Sequence, residues 1–164
     1  MLVIGQVDTA SDRQDVGDLI REYSAWAVTL AGDASTPPTF QGLEVELANL
    51  PGLYAPPAGR LLLARLDGRP AGCVALKGHD ADTGELKRLY VRPDARGHGI
   101  GRKLVAAVVA EARAAGYRRI VLDSHVSMTT AHELYAGAGF RLVNAPNGFP
   151  EALKPIAVFM EAAL

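Results

Sequence analysis

The chain has 164 residues, 49% of them apolar, and its 17 basic and 18 acidic residues leave a formal charge of −1. That size and balance describe one domain over residues 1–164 with a sizeable core, and they exclude both the basic footprint of a nucleic-acid partner and a strongly acidic face. A single cysteine, Cys73 in the apolar run AGCVAL, rules out a disulfide framework and reads as a small core residue in a reducing, cytoplasmic setting.

No apolar stretch nears the roughly 20 residues that span a bilayer, so no membrane partner is expected. The opening MLVIGQVDTASD lacks the basic start and long apolar centre of a secretion signal. In chain order, residues 2–7 read as a short apolar strand. Val16, Leu19, Ile20, Tyr23, Trp26, Ala27 and Leu30 then recur at helical spacing, with Ser11 or Asp12 as the cap and Gly32 as the stop. Five prolines between 37 and 57 break the next stretch into loop, a short helix over 43–50, and loop again.

Two apolar runs flank Asp67-Gly68, a pair that tolerates positive φ and suits a tight hairpin. HDADTG turns the chain once more into ELKRLYVR, completing a three-stranded antiparallel meander. A helix follows with Leu104, Val105, Val108, Val109 and Ala112 as its apolar stripe and Gly116 as its stop. YRRIVLDSH is a strand, MTTAHELYAGAG a shorter helix, FRLVNA a strand, PNGFPEALKP a loop and IAVFMEAAL a final strand. The order is β-α-α-β-β-β-α-β-α-β-β, an α/β chain with a mixed, mostly antiparallel sheet of about seven strands and about four helices.

The segment RPDARGHGIGRKL places glycines at 97, 99 and 101 just before the long helix. Bare backbone there lets N–H groups converge, and the helix adds its own unpaired N–H groups and positive dipole end. This is an anion site suited to a pyrophosphate, with Arg96, Arg102 and Lys103 around it. A glycine-rich turn with solvated basic residues is the competing reading. A triphosphate loop fails, because Gly101 is followed by Arg102, Lys103 and Leu104 rather than Lys and Ser or Thr. A dinucleotide fold is only partly imitated by Gly97, Gly99 and Asp123, since Arg102 takes the third glycine position.

ELKRLYVRPDARGHGIGRKL resembles the acetyl-CoA-binding motif of the GNAT superfamily of N-acetyltransferases, in which a fourth strand runs into a glycine loop and a long helix. ELYAGAGF continues the resemblance at Leu134, Tyr135, Gly139 and Phe140. The likeness covers residues from about 60 to 145. It implies a GNAT-like fold, a sheet that splays beside the fourth strand, and acetyl-CoA as cosubstrate with no metal. The implied cofactor residues are the strand backbone at Leu89, Tyr90 and Val91 and the loop from Arg96, Gly97, His98, Gly99, Ile100 and Gly101 to Arg102 and Lys103. The sequence departs from the family at Met128, where an asparagine that positions pantetheine is common. Family members often form homodimers.

The resemblance makes Tyr135 the general acid toward the departing thiolate and the Val91 N–H the donor that polarises the carbonyl. Packing is the alternative role of Tyr135. Glu85 resembles the glutamate base of some members; its alternative is an ordinary charge paired with Lys87. Strand alternation puts Glu85, Lys87, Leu89 and Val91 on one face and Leu86, Arg88 and Tyr90 on the other. His79, His125 and Asp123 are weaker base candidates, while His98 and His132 read as exposed. The acceptor implied is a small-molecule primary amine, in a pocket that residues 33–59 and 145–155 close with Tyr23, Trp26, Tyr54 or Phe149. A protein or peptide amine, a non-catalytic acetyl-CoA-binding domain and a nicotinamide-dependent enzyme are the alternatives. Side chains at Gly99 or Gly101 are expected to obstruct the phosphate.

Overall fold

The computed structural model describes residues 1–30 and 38–164. Its elements follow the expected order: β1 (Leu2–Gln6), α1 (Ala10–Leu30), α2 (Leu43–Ala48), β2 (Arg60–Leu66), β3 (Arg69–Gly78), β4 (Thr83–Val91), α3 (Ile100–Ala114), β5 (Arg119–His125), α4 (Thr129–Gly137), β6 (Arg141–Val143) and β7 (Ala157–Ala163). The helix α1 is capped by Thr9 rather than by Ser11 or Asp12. The Thr9 hydroxyl accepts the Asp12 N–H at 3.0 Å, and the Asp12 carboxylate accepts the Thr9 N–H at 3.1 Å. The expected stop at Gly32 lies outside the described residues.

The strands form one sheet in the order β1-β2-β3-β4-β5-β7-β6, antiparallel throughout except between β4 and β5. Period-2 alternation makes the central strands bury both faces. Leu62, Ala64, Val74 and Leu76 meet the α3 stripe of Leu104, Val105, Val108 and Ala112 on one side. Leu61, Leu63, Cys73 and Ala75 meet Val16, Leu19 and Ile20 of α1 on the other. Each fully buried Leu, Ile or Val here removes apolar surface worth roughly 1.5–3 kcal/mol from water. Cys73 is one of these core residues, and burial pushes its thiol up to about 12.

Two irregularities shape the middle of the sheet. β4 pairs with β5 only from Thr83–Arg119 to Glu85–Val121, after which the strands part. β4 also carries a bulge: β3 advances from Cys73 to Ala75 while β4 advances from Tyr90 back to Lys87, and Arg88 absorbs the extra residue at φ 61°. The Cys73 thiol donates to the Arg88 carbonyl at 3.3 Å.

The bulge corrects the expected faces of β4. Leu86 lies in the core beneath α3, and Leu89 and Val91 pack against that same core, whereas Tyr90 belongs to the core beneath α1. Lys87 and Glu85 stand opposite Ala75 and Lys77 on the α1 face. One extra residue thus separates Glu85 and Lys87 from Leu89 and Val91, which regular alternation would have put together.

Candidate active site

The parting of β4 and β5 leaves a groove of about 550 Å³, lined by Leu89, Tyr90 and Val91, by Tyr23 and Trp26 of α1, by the loop after β4 and by the start of α4. Arg92 donates its N–H to Ala71 of β3 at 2.9 Å. Successive N–H groups of a strand point to opposite edges, so Leu89 and Val91 turn theirs into the gap while Tyr90 directs its own to β3. The Val91 carbonyl accepts Arg96 Nε at 3.2 Å.

The loop holds Gly97 at φ 83° and Gly99 at φ 72°, both in the left-handed region that favours glycine. Among the described residues no backbone acceptor takes the N–H groups of Gly97, His98 and Gly99. Ile100, Gly101 and Arg102 follow as the first turn of α3, whose N–H groups have no intrahelical partner. A rank of free donors therefore meets the positive end of α3, an arrangement suited to a pyrophosphate.

Of the residues singled out from the sequence, Leu89, Tyr90, Val91, Arg96, Gly97, Gly99, Ile100, Gly101, Arg102 and Tyr135 all line this groove. His98 and Lys103 do not. His98 braces the turn instead, its Nδ1 3.1 Å from the carbonyls of Ala95 and Arg96. Gly101 has a different reason from the one expected: a Cβ there would stand 2.9 Å from Leu134 Cδ1, so its bareness lets α3 approach α4.

Beside the groove lies a smaller cavity of about 150 Å³, walled by Tyr23, Phe40, Leu86, Arg88, Asp123, Phe149 and their neighbours. Groove and cavity share Tyr23, Leu89, Met128 and Tyr135. Tyr135 packs on Phe140, and among the described residues no hydrogen bond contributes to the environment of its hydroxyl. Burial pushes its phenol well above the ordinary value, with Tyr23 and Asp123 adding to the rise. Met128 sits beside it, Sδ 3.7 Å from the Tyr23 hydroxyl and 3.6 Å from Ser124 Oγ.

The remaining candidates divide. Tyr23 and Phe149 line the smaller cavity and Trp26 the groove, but Tyr54 is buried away from both, donating to Glu46 at 2.8 Å. Glu85 lines neither. It sits where β4 and β5 are still paired, its carboxylate 3.5 Å from Lys77 Nζ and 3.6 Å from Lys87 Nζ. His132 is half-buried rather than exposed, its Nε2 3.0 Å from Ser124 Oγ, and burial lowers its pKa. Sequence reasoning missed the Arg88–Glu46 pair and Phe40. An arginine inside a strand otherwise rich in core residues was the one local signal.

Residues 27–140 match the Acetyltransferase (GNAT) family. An uncharacterized N-acetyltransferase of Schizosaccharomyces pombe is 36% identical over 141 residues, which cover 84% of this chain and 82% of that one. A Klebsiella pneumoniae protein described as an acyl-CoA N-acyltransferase superposes with a TM-score of 0.76 at 28% identity, covering 100% of this chain and 98% of that one. A GNAT family acetyltransferase from Elizabethkingia anophelis with acetyl-CoA bound superposes with a TM-score of 0.57 at 25% identity, over 65% of this chain and 77% of that one.

Proposed function

The chain belongs to the GNAT family and is an acetyl-CoA-dependent N-acetyltransferase, and from that premise we propose that its acceptor is a small primary amine and that Tyr135 is its general acid. The observation that carries this reading is the meeting of groove and cavity at Tyr135, between an edge suited to a pyrophosphate and a small aromatic-walled space. Bound acetyl-CoA supplies an electrophilic thioester. The N–H groups of 97–99 and of the first turn of α3 hold the pyrophosphate, with Arg102 and Lys103 adding positive charge from the surface. Leu89 and Val91 offer backbone groups to the pantetheine arm, and the Val91 N–H polarises the carbonyl oxygen. Arg96 keeps the mouth of the groove in shape, bonded to Val91 and set 5.8 Å from the Trp26 ring centroid.

Tyr135 donates a proton to the departing thiolate. Its raised pKa keeps it a donor throughout the neutral range, and the groove gives it access to the sulfur. A cavity of about 150 Å³ suits a small amine or the amine end of an amino-acid-like molecule better than a folded protein surface.

The test pairs binding with turnover. Acetyl-CoA at 100 times its dissociation constant stabilises the native chain by about 2.7 kcal/mol and raises its melting temperature. Free thiol then appears with small primary amines. Thiol release only with intact proteins or peptides would overturn the acceptor assignment, and none with any amine would leave a binding domain.

A further inference from the structure

Among the described residues between 38 and 54, Thr39 and Phe40 alone line the smaller cavity, and one guanidinium touches both. Arg88 Nη1 donates to Thr39 Oγ1 at 3.0 Å and Nη2 to the Thr39 carbonyl at 2.6 Å, while Cζ lies 4.6 Å from the Phe40 ring centroid. Among the described residues, these bonds and those of Arg88 to Glu46 are the only hydrogen bonds that tie 38–48 to the sheet. The seat of this cavity wall therefore depends on how one arginine is held.

Glu46 lines neither the cavity nor the groove. Its two oxygens accept Arg88 Nε and Nη2 at 3.0 Å each, a bidentate pair that fixes the orientation of the guanidinium plane. The Tyr54 hydroxyl donates to the same carboxylate at 2.8 Å and holds it in turn. Beyond the guanidinium, Phe40 is 2% exposed and meets Tyr23 edge-on, with centroids 5.1 Å apart and planes at 90°. A well-packed apolar pair of similar volume is often as stable as a buried ion pair, whereas an oriented planar cation gives the ring beside it a fixed place.

We infer that Glu46 is a positioning residue: acting through Arg88, it holds Phe40 as the wall against which the body of an aryl-bearing primary amine packs, a role resting on the acetyl-transfer reading above. An amine too small to reach Phe40 needs no such wall. The Glu46–Arg88 pair thus selects acceptors by size and shape, at a distance from the thioester and without touching acetyl-CoA.

The experiment measures acetyl transfer to phenethylamine and to methylamine in Glu46→Gln, Phe40→Leu, their double variant and the control Arg65→Met, beside calorimetric titration of acetyl-CoA. Arg65 ties β2 to Asp12 and Asp15 of α1 at 2.8 and 2.6 Å and lines neither space, so its loss reports general destabilisation. Glu46→Gln raises KM for phenethylamine about tenfold with kcat within about twofold. It leaves KM for methylamine and the affinity for acetyl-CoA unchanged. Phe40→Leu does the same, and the double variant is no worse than either single one, because both act on one wall. Arg65→Met changes neither KM. Thr39→Val keeps the ion pair, removes one bond of the guanidinium and raises KM for phenethylamine about threefold, which keeps the role testable should Glu46→Gln not fold. No effect, equal effects on the two amines, additive effects of Glu46→Gln and Phe40→Leu, an equal rise in Arg65→Met, or a wild type that acetylates methylamine but not phenethylamine would overturn the assignment. A wild type that binds acetyl-CoA but releases thiol with no small primary amine would overturn the acetyl-transfer reading itself, and the role of Glu46 with it.

Discussion

Arg88 donates from Nε and Nη2 to the two carboxylate oxygens of Glu46, each at 3.0 Å, across 42 residues of sequence. The same guanidinium donates to Thr39 Oγ1 at 3.0 Å and to the Thr39 carbonyl at 2.6 Å, and it lies 4.6 Å from the Phe40 ring centroid. Tyr54 closes the network on Glu46 at 2.8 Å. These contacts fasten residues 38–54 to the bulge of β4, beside the cavity that would take the acceptor.

Glu46→Ala strands a guanidinium whose side chain is only 4% exposed. A loss of about 3 kcal/mol is expected in urea unfolding. A loss below about 1 kcal/mol would mean that the pair behaves like a solvent-screened one.

Gly99 and Gly101 are expected to fail differently. At Gly99 a Cβ meets only Arg102 Nη2, at 4.0 Å, but must adopt φ 72°, so Gly99→Val folds with a loss of about 1–3 kcal/mol and loses acetyl-CoA affinity. Gly101→Val drives into Leu134 and separates α3 from α4, lowering stability through packing. Calorimetric titration of acetyl-CoA beside thermal melts distinguishes the two. Full affinity in Gly99→Val would remove the loop from the pyrophosphate site.

Tyr135→Phe is expected to lower kcat by about 100-fold with little change in acetyl-CoA affinity. The melting temperature should barely move, because among the described residues no hydrogen bond contributes at the hydroxyl. Wild-type turnover in this variant would make Tyr135 a packing residue.

Asp12 links pH to stability. Hydrogen bonds from Arg65 first, and then from Thr9, hold its carboxyl well below the usual carboxylate range. Its folded value lies below its unfolded value of about 3.9, so its contribution is full above that value and fades as the pH falls through it. Asp12→Ala should cost about 1 kcal/mol at neutral pH, and the gap from wild type should narrow below about pH 4. Denaturant midpoints measured at the two pH values check this, and an unchanged gap would count against it.

Much of the molecule was legible because its signals are short-range. The period of apolar residues fixed the faces of α1 and α3, Asp67-Gly68 marked the hairpin, and GHGIG before an apolar stripe marked the left-handed glycine turn that opens α3. Local chemistry also misled by small steps at the cap of α1, where Thr9 and Asp12 satisfy each other.

What the sequence by itself determined, then, is the order of elements, the positive-φ glycines and the family motif, since each depends on neighbours a few bonds away. The tertiary structure alone decided which carboxylate meets the cavity. One bulge at Arg88 reverses the faces of β4 beyond Lys87, and the end of pairing at Glu85–Val121 opens the sheet only past Glu85. Glu85 is thereby left between two lysines while Asp123 on β5 lines the same cavity as Tyr135. A bulge and the point where two strands part are settled by contacts between segments distant in the chain, such as Arg88 with Glu46, and a regular alternation read along one strand contains neither.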